Sequence, residues 1–155
     1  MLAACRQKQT TRHPITLHDG FYEVVGSGSS EPDVTKTLQG QVVINFDTLF
    51  SPGDYNQVVI DTNDFVPLKL DTDPQVIQQN GHKKLLSVSL TSGAAQKMKK
   101  FSSERVMKQV AIVIDGKAIT VHKIREAITG SDIQITRCND NACEYLYLKL
   151  SDDRR

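Results

Sequence analysis

The most reactive side chains of this 155-residue chain are its three cysteines and four histidines. Cys138 and Cys143 bracket Asn139-Asp140-Asn141-Ala142, a turn-forming segment between two strand-like runs. Across a tight hairpin, two cysteines meet the Cα separation of roughly 4.4–6.8 Å that a disulfide requires. A bridge closing so short a loop acts mainly by fixing register, and it implies an oxidising compartment. Two free thiols in a cytosolic protein are the alternative. A zinc site has less support, because no third or fourth ligand lies nearby at zinc spacing. His13, His18, His82 and His122 are scattered near turns or strand ends, without repeated spacing to carboxylates. Arg125-Glu126 is better read as a structural charge pair than as catalytic, since neighbours on a strand point to opposite faces. No Gly-x-Ser-x-Gly elbow occurs. The expectation is a binding module that is not an enzyme and has no cofactor or metal.

The remaining cysteine, Cys5, follows Leu2-Ala3-Ala4. Leu-Ala-Ala-Cys resembles a bacterial lipobox, which implies lipid on the Cys5 sulfur and a polar tether over Arg6 to Arg12. A chance match of small residues is the competing reading. Only Met1 precedes the box, where a charged region and an apolar stretch are usual. The sequence is therefore expected to be shortened or to start at the wrong methionine. Arg6 stands where an Asp would mark inner-membrane retention, so the resemblance implies the outer membrane of a Gram-negative bacterium, facing the periplasm.

Composition fits one soluble domain, with 39% apolar and 24% charged residues. No apolar run exceeds five residues, the length of Val110 to Ile114, which is far short of the roughly 20 residues that span a bilayer. Membrane contact is thus expected through a lipid anchor alone. The net charge of +1 conceals a division. Residues 13–80 hold ten acidic and two basic side chains, and residues 81–125 hold ten basic and two acidic ones. Either the halves attract each other in the fold, or Lys97, Lys99, Lys100, Lys117 and Arg125 form a basic patch for an acidic partner. Nucleic acid is a poor partner, because Trp is absent and no aromatic residues interleave with the lysines.

These residues must be positioned by short elements. Residues 1–13 read as a flexible leader and 14–155 as one domain. Strand pieces are expected at Ile15-Thr16-Leu17, Phe21 to Val25, Gln41 to Phe46, Gln57 to Asp61 and Phe65 to Leu70, where Pro67 confines the last to an edge. Gly26 to Ser30 reads as a loop, Ser51 to Asp54 and Asn80-Gly81 as turns, and Pro74 to Gln79 as a helical turn. Lys84 to Leu90 is a strand. Thr91 or Ser92 caps a helix running to about Val106, with Ala94, Met98, Phe101 and Arg105 on one face. Strands follow at Gln109 to Ile114 (central, from its full apolarity), Ala118 to Val121, Ile124 to Ile128, Ile133 to Arg137 and Glu144 to Leu150. This order gives an α+β fold, one antiparallel sheet with the 92–106 helix on one face.

Four segments, in order, are similar to one family. Ser89-Leu90-Thr91-Ser92-Gly93-Ala94-Ala95 opens the helix, and Ala111-Ile112-Val113-Ile114-Asp115-Gly116-Lys117 follows. Ile124-Arg125-Glu126-Ala127-Ile128-Thr129-Gly130 and Ile133-Gln134-Ile135-Thr136 complete the set. Residues 85–136 resemble the head of the first periplasmic domain of the SecD protein-export family. His122 and Ala127 stand where that family usually has prolines, and its membrane helices have no counterpart in this sequence. The resemblance therefore implies only the head's role, contact with polypeptides outside the inner membrane.

Two functions from different classes fit. One is a non-catalytic periplasmic lipoprotein that binds unfolded export substrates through the SecD head-like domain. The alternative is an immunity lipoprotein that neutralises a single toxin, such as a lipase or muramidase effector, across a charge-complementary face. The partner, one or many, separates them.

Overall fold

Apolar side chains fall on both faces of several strands, so a single sheet covered on one side cannot bury them. The computed structural model describes residues 16–28, 39–48, 56–79, 84–138 and 140–152. In chain order these form β1 (Gly20–Gly28), β2 (Gln41–Asn45), β3 (Gln57–Pro67), β4 (Gln75–Gln78) and β5 (Lys84–Ser89). There follow α1 (Ser92–Ser103), β6 (Gln109–Ile114), β7 (Lys117–Lys123), β8 (Asp132–Cys138) and α2 (Asp140–Asp152). Every strand pair is antiparallel, and α1 is the main helix over a sheet face, so the α+β class holds.

The strands divide between two sheets, ordered β2-β3-β1-β6-β7 and β4-β5-β8, where one sheet was expected. The reason is visible in β6. Val110, Ile112 and Ile114 join a core with α1, the smaller sheet and α2, whereas Ala111 and Val113 face a second core with Tyr22, Val58 and Ile60. That second core fills the inside of the larger sheet, which curls until its outer strands meet. Phe46 bridges Ala118, and the Asp47 amide donates to the Ala118 carbonyl at 2.9 Å. The β6 strand is interior, as its apolarity predicts.

β1 holds the larger sheet together by pairing with β3 on one side and β6 on the other. It runs through Gly26 to Gly28, which sequence patterning assigns to a loop, because these residues pair with Val59, Val58 and Gln57. At its start, Gly20 lies so close to β3 that an added Cβ would sit 2.5 Å from the Val66 carbonyl oxygen. Only glycine fits there.

Four further expectations change. Residues 75–78 form a strand instead of a helical turn, as β-branched Val76 and Ile77 pair with Leu86 and Leu85. Pro67 is the last residue of an interior strand, where a lost donor costs little. Residues 124–128 are irregular, with the Ile124 amide donating to the Lys108 carbonyl and the Ile128 amide donating to Ser102 Oγ at 2.8 Å. Residues 144–150 are helical. Glu144 to Leu150 alternates like a strand, but Cys143, Leu146 and Leu150 also recur at helical spacing and are the side chains buried, while Leu148 is 55% exposed. Leu17 is outside any strand, and Ile15, Ser51 to Asp54 and Asn80-Gly81 lie outside the described residues.

Thr91 caps α1, its side chain accepting from the Ala94 amide at 3.4 Å. Ala94, Met98 and Phe101 are buried as the spacing requires. The helix ends at Ser103, before Val106, and Met107 turns the chain at a positive φ of 72° into β6. Arg105 lies past the helix end, its guanidinium 4.0 Å over the Phe101 ring. It donates to Glu23 at 2.8 Å and pairs with Asp64 at 3.1 Å, while Lys108 reaches the other Glu23 oxygen at 2.8 Å. Lys97 also approaches Asp64, at 3.9 Å. The acidic and basic halves of the sequence therefore attract each other inside the fold.

Glu23 and Arg105 are only 12% and 11% exposed, whereas Lys108 is 54% exposed. Removing a sheltered partner strands the other charge. Glu23→Gln is expected to lower stability by about 2 kcal/mol, and Lys108→Met by less than about 0.5 kcal/mol. Urea unfolding of the two variants checks this, and equal losses would refute the distinction.

Candidate functional site

An apolar concavity lies where β6, α1, the 124–128 segment and β8 converge. It is a cleft of about 300 Å³ with Phe21, Met98, Ile112, Ile124, Ile128 and Ile133 in its walls. Alternation builds it: Ile112 and Phe21 project from paired positions of β6 and β1, and Ile133 from the start of β8. The rim carries His122, Lys123, Arg125, Glu126 and Gln134. Ser102, fully buried on α1, positions the far wall. Its hydroxyl donates to the Lys99 carbonyl at 3.3 Å and accepts from the Ile128 amide. Nothing in the sequence marks this serine, since a lone hydroxyl in a helix has many uses.

His122 comes to the cleft from β7, hydrogen-bonded through Nε2 to Thr120 Oγ1. Burial lowers its pKa from the ordinary histidine value, so the neutral ring is favoured. Among the described residues no carboxylate bonds to this ring, and Thr120–His122 lacks the third group that would orient a base. The cleft is thus equipped to hold apolar side chains beneath a polar rim of mixed charge. On the opposite side of β1, the Tyr22 hydroxyl donates to the His18 carbonyl at 2.7 Å and stacks on Phe65 at 4.9 Å between centroids. This anchors the chain before β1.

The five basic residues singled out by the charge pattern do not gather at one place. Lys97 lies 5.1 Å over the Phe65 ring and beside Asp64. Lys99 and Lys100 are exposed on α1, next to the Met98 that enters the cleft. Arg125 is on the cleft rim. Lys117 opens β7, after the tight turn made by Asp115 and Gly116 with φ of 51° and 70°. It lies at the other end of that strand from Arg125, on the order of 20 Å away by strand rise. Asp115 is paired with Lys149 of α2.

Cys143 is fully buried on α2 and disulfide-bonded. Cys138 ends β8, its backbone opposite Lys84, and its side chain is outside the described residues. The two cysteines flank a strand-to-helix junction, and the hairpin expected between them is absent because α2 begins at Asp140. Cys5 and His13 lie outside the described residues. No described helix is long and apolar enough to cross a membrane.

Residues 55–151 match the family model described as SecDF, P1 head subdomain, a wider span than the 85–136 read from sequence. No curated protein matches the chain. Its fold is similar to that of SecDF solved in a super-membrane-facing form, with TM-score 0.55 and 20% identity over 84% of this chain and 18% of that one. It is also similar to a structure of SecDF, a membrane component that enhances protein export, with TM-score 0.53 and 19% identity over 86% of this chain and 62% of that one. The chain therefore spans less than two thirds of either structure.

The lowered His122 pKa has a consequence for stability. Above the ordinary histidine pKa the ring is neutral in both folded and unfolded chains. As pH falls from that value to the lowered one, the unfolded chain takes up a proton that the fold resists, so stability falls. Urea midpoints measured from pH 7.5 to 5 are expected to drop, and His122→Gln to flatten part of that slope. An unchanged slope in the variant would show that other groups carry it.

Proposed function

This chain belongs to the SecDF P1 head subdomain family, and on that premise we propose that it is a non-catalytic module that binds polypeptides in the periplasm. The observation that carries the reading is the family match over residues 55–151, together with an apolar cleft whose lining, Phe21 apart, falls inside that span. Apolar walls hold side chains that unfolded chains expose and folded ones bury. Arg125 stands on the cleft rim and would slow the escape of acidic segments, while Lys97, Lys99, Lys100 and Lys117, which do not line the cleft, contribute less. Residues 14–155 act as one domain, joined by the 1–13 leader to a lipid on Cys5 and so held at the outer membrane. Cys143 pairs with Cys138, which clips α2 to the end of β8.

The toxin-neutralising alternative drew on the divided charge. Part of that charge, Glu23 and Asp64 against Arg105 and Lys108, is engaged within the fold, which weakens this second reading.

Photo-crosslinking from position 128 in envelope extract is expected to capture many unfolded chains at low occupancy. One stoichiometric partner would refute the export reading. In separate experiments, Cys5→Ser is expected to move the protein from the membrane to the soluble fraction. Thiol titration of the native secreted protein is expected to find no free thiol, and Cys138→Ser to expose one. Three free thiols in the native protein would remove both the anchor and the clip.

A further inference from the structure

Among the described residues, β4 is an edge strand of the smaller sheet. β4 pairs with β5 alone, and the order β4-β5-β8 places it at an edge with no strand beyond it among the described residues. Its four residues are all exposed, Val76 at 43% and Ile77 at 39%. A sheet edge presents backbone donors and acceptors in the one spacing that another extended chain satisfies. Proteins usually guard such an edge by keeping it short, or with a charged side chain, a proline or a bulge. Gln75-Val76-Ile77-Gln78 is short, but it carries no charge, proline or bulge, and its register with β5 is unbroken over four pairs. The larger sheet closes its own edges through Phe46 and Ala118, so the contrast lies within one molecule.

A second feature adjoins the edge. On the α2 side, a hollow of about 320 Å³ is lined by Val76, Lys84, Cys143, Glu144 and Tyr147. Side chains of a strand alternate between faces, so a strand laid along β4 would direct every second side chain toward this hollow. Lys84 and Glu144 give it no single sign of charge.

We propose that the outer edge of β4 is a strand-addition site that takes an extended segment of another polypeptide, apolar at alternate positions. This deepens the polypeptide-binding reading and rests on it. Main-chain hydrogen bonds supply affinity without reading sequence, and the hollow prefers an apolar side chain. A second copy of this chain is a poorer occupant. Two four-residue edges bury far less than the roughly 1,000 Å² a stable interface needs, whereas a weak, transient client needs less.

The test uses the full chain and a fluorescent, permanently unfolded probe, reduced and carboxymethylated α-lactalbumin, followed by anisotropy. Val76→Lys and Ile77→Lys place the natural guard on exposed positions, and urea unfolding confirms that the fold survives. Binding is expected to weaken at least ten-fold in each variant, and amide exchange at residues 76–77 to slow only when the probe is bound. Equal binding by wild type and variants would overturn the edge site and leave the polypeptide-binding reading intact. Amides of β4 already protected without probe would also overturn it, because the chain itself or a second copy then covers the edge. No binding by the wild type would overturn both.

Discussion

Glu23 accepts hydrogen bonds from Arg105 and Lys108 at 2.8 Å each, one on either carboxylate oxygen. It stands on β1, the strand paired on both sides, and its partners lie on the connection from α1 to β6. That connection must be placed correctly for Val110 and Ile112 to reach the core and for the Met107 amide to find the Ile124 carbonyl. The 124–128 segment then lies against α1, where Ser102 fixes it. The cleft wall is thus tied to a charge cluster outside the cleft. A sheltered carboxylate with two donors costs desolvation, but it permits one register of β1 against the helix end, which apolar contacts alone leave loose.

Much of this architecture is legible in the residues. Val110 to Ile114 announces an interior strand, and Ala94, Met98 and Phe101 announce the buried face of α1. The legible elements are those whose apolar period is strong and whose ends carry caps or turns. The misread ones have two periods at once or none. Tyr145 to Leu150 satisfies both strand and helix spacing, and only packing against the smaller sheet decides for the helix. Val76 and Ile77 form too short a run to outweigh the Pro74 beside them, and the division into two sheets is a tertiary outcome that no local window contains.

The site was less legible than the fold. Arg125 reaches the cleft rim, but its neighbours there come from β1, α1, β6 and β8, and their convergence is set by the crossing of the two sheets. His122 reads as one more scattered histidine until burial and Thr120 give it a setting. The divided charge could be noticed but not assigned, since attraction within the chain and attraction to a partner leave the same pattern in sequence.

The two-sided pairing of β1 also has a bearing on timing. Gly20 pairs with Pro67 and with Val113, so the first of the described strands must wait for a partner more than ninety residues later. For a chain delivered from its N-terminus, β1, β2 and β3 arrive early with one side of β1 open, and the larger sheet is sealed only when β6 follows. Non-local pairing of this kind makes for slow folding. In the interval the open flank of β1 is itself an unfinished edge, so the protein passes through the condition of an unfolded client before it acquires a finished fold.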